Sequence, residues 1–314
     1  MDTPASAQPS FSQPFFSATD LGVLLGAPFF TLPAWFVPER HWPKITRLLS
    51  PMAISDLTKD PRAAAKLIRQ TLGNRLSDLQ ARDILSGMGA EGIFTFFQVL
   101  KCYRPDGWEP AVRIANFERV AAALQAGRGA ILWVGHAFHG HLGAKVGFHR
   151  AGLKVVHLST PAHGFSSTRF GVRYLNRIQT RIEDRYIGER VLLPLNGQNA
   201  AVQTLVKRLK ANKVVSITGQ RGTGRTIAAR FLDGTLTLAP GAPSLGHMTG
   251  AAVFPTFAFR APDGAIEVSV EPPVEMAADA PREAAVSQAV QQFATVSEGY
   301  ALRYPGQWLS WVQL

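Results

Sequence analysis

Between residues 127 and 219 the chain repeats one grammatical unit: a short apolar run, then a helical segment closed by a polar or Gly stop. "GAILWVG" is followed by "HLGAKVGFHRAG", and "LKVVHLST" by the basic "STRFGVRYLNRIQTRIEDRY". "RVLLPL" leads to "QNAAVQTLVKRLKANK", and "VVSIT" closes the series. The apolar runs do not alternate with polar residues. A strand that is apolar at every position must be covered on both faces, which is the pattern of a parallel sheet between helical layers. "AAVFPTFAFR" and "AIEVSVEP" add two further strands, and "PREAAVSQAVQQFATVSEGYALRYP" a last helix. The expected fold class is α/β, a central and mainly parallel sheet flanked by helices, occupying residues 111–314.

The region before it reads differently. Residues 1–18, rich in Pro and Ser and without periodicity, read as a mobile tail, and residues 19–110 as an apolar anchor with a helical arm. "LGVLLGAPFFTLPAWFV" (21–37) is uncharged but short, and it holds Pro28 and Pro33. A clean transmembrane helix wants about 20 apolar residues. The segment is therefore either a buried core hairpin or a short or re-entrant membrane anchor with Trp35 and Trp42 at headgroup depth. From Asp60 to Tyr103 the pattern is helical, with Asp60 as N-cap and Pro61 in the first position. Charge weighs towards the membrane. The chain carries 33 Lys+Arg against 22 Asp+Glu, a formal net charge of +11. That balance suits anionic partners such as an acidic carrier protein or an anionic leaflet. The basic residues are scattered, with no nucleic-acid-binding signature around them, so no nucleic-acid partner is expected. Cys102 is the only cysteine, which rules out an intrachain disulfide, and its apolar neighbours read as core.

Two stretches invite chemistry. "VVSITGQRGTGRT" (214–226) has the Gly spacing of a phosphate loop with Arg for Lys. A phosphate loop must open a helix, and the next residues, "IAARFLDGTLTLAPGAP", are β-branched and broken by Gly and Pro. The nucleotide reading fails on context. The second stretch is "ILWVGHAFHGHLG", where His136, His139 and His141 come directly after a strand end. Ligands of open α/β sheets bind at the carboxyl ends of strands. As a metal site the three histidines lack an acid and a supporting carboxylate. They could also cap and pack. As a catalytic site, His136 is placed for general base work.

"GRGAILWVGHAFHGHLGAKVGFHRAGLKVVHL" resembles the bacterial late acyltransferase family of lipid A biosynthesis, whose pattern is a hydrophobic strand and then His-x4-Asp/Glu opening a helix. "AAVQTLVKRLKANKVVSITGQRG", "ARFLDGTLTLAPGAPSLGHMTGAAVFPTFAFR" and "YPGQWLSW" are similar to its later segments, in order. The resemblance implies an O-acyltransferase at the cytoplasmic face of the bacterial inner membrane. It would take an acyl chain from acyl carrier protein or acyl-CoA to a lipid or glycolipid hydroxyl, with no metal or other cofactor. It also implies His136 as the base. The motif acid is replaced by His141, and an Asp of the late-strand turn by Gly219. Either another acid reaches His136, or the chain is slow, or it is an inactive relative acting as a partner subunit. Glu183, Asp184 and Asp233 are the acids of that half, the first two expected to form surface pairs with Arg neighbours, and His163 and His157 are expected to be structural or surface residues. The expected substrate contacts are His139, Arg173, Arg177, Gln220, Arg221 and Arg225.

Overall fold

The computed structural model describes residues 14–73, 76–193, 198–220, 224–276 and 280–313. Four helices come first: α1 (Ala18–Phe36), α2 (Trp42–Leu57), α3 (Pro61–Leu72) and α4 (Asp78–Lys101). Then come β1 (Val112–Ala115), α5 (Glu118–Gln125), β2 (Ala130–Gly135), α6 (Leu142–Arg150), β3 (Val156–Ser159), α7 (Asn176–Glu183), β4 (Glu189–Leu192), α8 (Gln198–Lys210) and β5 (Val214–Gly219). The chain ends with the hairpin β6 (Ile227–Phe231) and β7 (Gly234–Leu238), then α9 (Gly241–Thr249), β8 (Ala252–Arg260), β9 (Ile266–Val270) and α10 (Arg282–Arg303).

Seven strands form one sheet in the order β1-β9-β8-β2-β5-β3-β4. Five run parallel, while β9 is antiparallel to β8 and carries β1 parallel to itself at that edge. β2 lies between β8 and β5, and all six of its residues are buried. Side chains alternate across a strand, so Ile131 and Trp133 enter the core of one face, and Ala130, Leu132 and Val134 that of the other. The fold also excludes a phosphate loop, because the next element after β5 is the strand β6, not a helix. Gly219, at the end of β5, is packed shut. A Cβ there would stand 2.8 Å from both Phe293 Cζ and Trp133 Nε1, whose rings stack at 4.1 Å.

Residues 21–36 are not a hairpin but part of one helix, Ala18–Phe36, which is long and apolar enough for the anchor alternative, and Val37 is its C-cap. A capping box of Ser17 and Asp20 opens α1, and both prolines lie inside it. The packed face explains why the helix survives them. Phe30 meets Phe96 and Phe97 of α4, Ala34 is buried, and Trp35 Nε1 donates to the Leu100 carbonyl at 2.8 Å. Tertiary burial outweighs propensity here. Asp60 caps α3 as the sequence indicates, accepting from the Arg62 and Ala63 amides. Cys102 is buried, and burial pushes its thiol up to about 12.

Both ends of α1 are tied to the body of the protein. At the start, Asp20 is fully buried and accepts from Thr168 Oγ1 at 2.9–3.0 Å, and the Phe15 carbonyl accepts from the Phe170 amide. At the end, Arg104 donates to the Trp35 carbonyl. Lys101 is buried among Glu39, Trp42 and Trp108, its ammonium 2.7 Å from Glu39 and 4.9–5.0 Å from the two indole rings. The opposite stripe of α1, Leu21, Leu25, Phe29, Leu32 and Phe36, is exposed, Phe36 at 72%.

Candidate active site

β2 delivers His136 to the carboxyl end of the central strand. The residue is held from its backbone. Its carbonyl accepts from the Leu309 amide at 3.0 Å, and Ala137 pairs with Trp308 in an antiparallel bridge. The ring is buried, with Nδ1 at 3.4 Å from Ser310 Oγ. Burial in a water-poor site disfavours the charged imidazolium, which lowers the His136 pKa to about 4. At neutral pH this histidine is uncharged and able to accept a proton.

A short 3-10 turn, Phe138–Gly140, then carries the chain to His141 at the entry of α6. The His141 ring stands edge-on to His136, centroids 6.3 Å apart, and 5.2 Å from the ring of His163. His163 Nε2 lies 2.9 Å from both carboxylate oxygens of Glu183. Glu183 is 0% exposed, which corrects the surface-pair expectation. It also accepts from Gln179 at 2.8 Å, Lys145 at 3.2 Å and Arg190 at 3.0 Å. Burial alone would raise its pKa, but Lys145 and His163 hold it well below the usual carboxylate range. Asp184 does pair with an Arg neighbour, Arg190 at 2.7 Å. Of the two alternatives for His163 and His157, structural or surface, the packing gives the structural one. His163 bridges to Glu183, and His157 is buried with Nδ1 2.7 Å from Ser216 Oγ.

A cleft of about 80 Å³ opens between α4, this loop and α7, lined among others by Thr95, Gln98, His139, His141, Phe165 and Gln179. His141 is half-buried on its wall. The remaining expected site residues are dispersed. His139 is sealed against α4, its Nε2 3.0 Å from Glu91, which also holds Arg260; its Nδ1 is buried without a partner. Arg173 and Arg177 are exposed on the turn before α7 and on α7 itself. Gln220 is half-buried after β5, its carbonyl accepting from the Ala239 amide. Arg225 is exposed and paired with Glu283 at the start of α10, beside Ser244 and Arg282. Arg221 lies outside the described residues. Among the described residues no group of three or more His, Cys, Asp and Glu could hold a metal ion.

The sequence model of the family described as "Bacterial lipid A biosynthesis acyltransferase" matches residues 35–313. The chain belongs to that family. No curated relative matches it. At the end of the central strand His136 and His141 stand as two neutral imidazoles side by side. His141, like His136, is kept from charging by burial, and by the nearby His163 and Lys145, well below the ordinary histidine range. His163, Glu183, Lys145 and Ser310 do not stand out in the sequence as site residues. One signal is available: Lys145 is a lone cation within the apolar run "LGAKVGF", and a buried cation calls for a buried anion.

These shifts make stability depend on pH in a defined sense. An unfolded histidine binds a proton near pH 6.5, the folded His136 only near 4. Between those values the unfolded chain holds more protons, so stability falls as pH falls. At pH 5 His136 alone contributes roughly 2 kcal/mol of that loss. The contribution of Glu183, whose folded pKa is depressed, is present above its unfolded pKa and is lost at lower pH still. Urea midpoints should drop steadily from pH 7 to pH 5, and His136→Asn should flatten that slope.

Proposed function

We propose that this protein is an O-acyltransferase that moves a fatty acyl chain from the thioester of acyl carrier protein or coenzyme A to a hydroxyl of a lipid or glycolipid. The observation that carries this reading is His136, the residue at the motif histidine's place, held uncharged at the carboxyl end of the central strand. In this mechanism His136 carries its proton on Nδ1, 3.4 Å from Ser310 Oγ, and leaves the Nε2 lone pair free. Nε2 takes the proton of the acceptor hydroxyl while the oxygen attacks the thioester carbonyl. The tetrahedral intermediate collapses with cleavage of the C–S bond, and the proton on His136 goes to the departing thiolate. No metal or nucleotide takes part in these steps. Arg173 and Arg177 offer cationic contacts to an acidic carrier or a phosphate; Arg221, Arg225 and Gln220 belong to the late loop and would act there.

The acceptor is met at the membrane. The exposed stripe of α1, with Leu48 and Met52 of α2 also exposed, is flanked by exposed Arg40, Lys44, Arg169 and Arg173. Apolar burial beside cations suits an anionic leaflet. Because both ends of α1 bond to the same body, the helix lies in the leaflet and does not cross it. That orientation supports a peripheral location at the cytoplasmic leaflet, with the site beside the lipid acceptor.

Purified protein given acyl thioesters and a bacterial lipid extract should form a new acylated lipid, detectable by mass spectrometry. His136→Ala should lower turnover by at least about 10³-fold with the fold intact. Full turnover in that variant would remove His136 as the base. No product with any donor would favour the inactive partner-subunit reading. For the membrane arm, Leu25→Ser/Phe29→Ser/Leu32→Ser should weaken sedimentation with phosphatidylglycerol vesicles more than tenfold, since each buried apolar side chain contributes roughly 1.5–3 kcal/mol. Unchanged sedimentation would move the contact elsewhere.

A further inference from the structure

A neutral base that becomes an imidazolium needs negative charge nearby, and the residue at the motif acid's place is a histidine. Ser310 stands 3.4 Å from His136 Nδ1 but brings no charge. Two buried carboxylates stand near the histidine loop. Glu91 is engaged by Arg260 and His139, and the ring contact of His139 is with Phe94, not with another imidazole. Glu183 is different. It joins a continuous series of imidazoles, at 2.9 Å to His163, then 5.2 Å between ring centroids to His141, then 6.3 Å to His136. The His163 and His141 rings are tilted by 51° at that separation, neighbours close enough for the charge of Glu183 to be felt at His141, with no hydrogen bond between the two rings.

We propose that Glu183, acting through His163 and His141, does the work of the missing motif acid: it is a positioning residue for the transfer that begins at His136. This rests on the acyltransferase reading given above. Lys145 and Arg190 keep the carboxylate ionised in a site closed to water. His163 donates Nε2–H to it, and the rings of His141 and His136 follow at 5.2 and 6.3 Å between centroids. When His136 Nε2 takes the proton from the acceptor hydroxyl, the new positive charge stands in the field of the ionised Glu183, with two polarisable imidazoles between them. No proton need leave His136 before it is passed to the departing thiolate. The acid has moved from the loop after β2 to the end of α7, and His163 and His141 stand between it and His136.

The test cuts the series without unpairing Glu183. In His163→Gln the carboxylate keeps Lys145, Arg190 and Gln179, and kcat should fall between about 10-fold and 10³-fold. That is less than the ~10⁴ seen when an adjacent orienting acid is lost. KM for the thioester should stay within about twofold. Adding His141→Glu to the same chain restores an acid at the motif position and should recover most of the lost kcat, which a merely structural role for His163 would not allow. His141→Phe cuts the series one step earlier and serves if the first variant does not fold. It should lose a similar amount, and the double variant with His163→Gln no more, since groups acting as one unit are not additive. Unchanged kcat in folded His163→Gln or His141→Phe would overturn the proposal while leaving acyl transfer standing. So would failure of His141→Glu to rescue a folded His163→Gln. An inactive wild type would overturn the acyl-transfer reading itself, and this inference with it.

Discussion

Glu183 is an ionised carboxylate with no exposed surface, and much of the site is arranged around the cost of keeping it there. Removing such a charge from water is tolerable only when every lone pair is answered. Here the answers come from three elements: Lys145 of α6, Arg190 of β4, and Gln179 of α7 itself, with His163 from the segment between β3 and α7. Lys145 has a second bond, to the carbonyl of His141 at 2.8 Å. The same cation therefore satisfies Glu183 and fixes the backbone of the histidine loop. Removing one partner would leave the others buried and unpaired, which commonly costs about 3–5 kcal/mol.

The loop is fixed from the other side by the C-terminal segment and by α4. Trp308 and Leu309 bond to the backbone of Ala137 and His136, and Glu91 of α4 links His139 to Arg260 at the end of β8. Pairing to His139 and Arg260 keeps the Glu91 pKa low although burial alone would raise it. The helical arm is thus a wall of the site as well as the carrier of the exposed apolar stripe. Lys101, held between two indoles and Glu39, locks that wall to the entry of α2. A surface suited to lipid and the cleft beside His141 are parts of one packed body, which is how an acceptor anchored in a leaflet would reach a base at a strand end.

The sheet is legible in the sequence because parallel strands buried on both faces have little sequence freedom: "AILWVG" and "VVSITG" leave no other reading. β1, with its half-exposed "VRIA", and the hairpin of β6 and β7 are not legible as strands, since short edge and surface strands carry weak patterns. The segment 21–37 misleads because two prolines argue against a helix locally, while the burial on α4 that overrides them is a tertiary fact. Of the site, His136 and His141 are legible from a motif that is local in sequence. Glu183 and His163 are not. In a helix carrying Arg173, Arg177 and Arg181, an acid reads as one half of a surface pair, and only the fold turns that face inward. Gly219 reads as a lost acid, yet the stack of Trp133 and Phe293 shows that no side chain fits there.

The proposed acyl transfer requires His136 to be a neutral base with Nε2 unprotonated. Nitrogen-15 NMR of the histidine side chains, followed from pH 7.5 downwards in the full chain, observes this directly. The predicted result is an Nδ1-protonated neutral imidazole for His136 that begins to charge only as pH approaches about 4, identified by its absence in His136→Asn. An Nε2–H tautomer, or a titration near the ordinary histidine value of about 6.5, would contradict this mechanism.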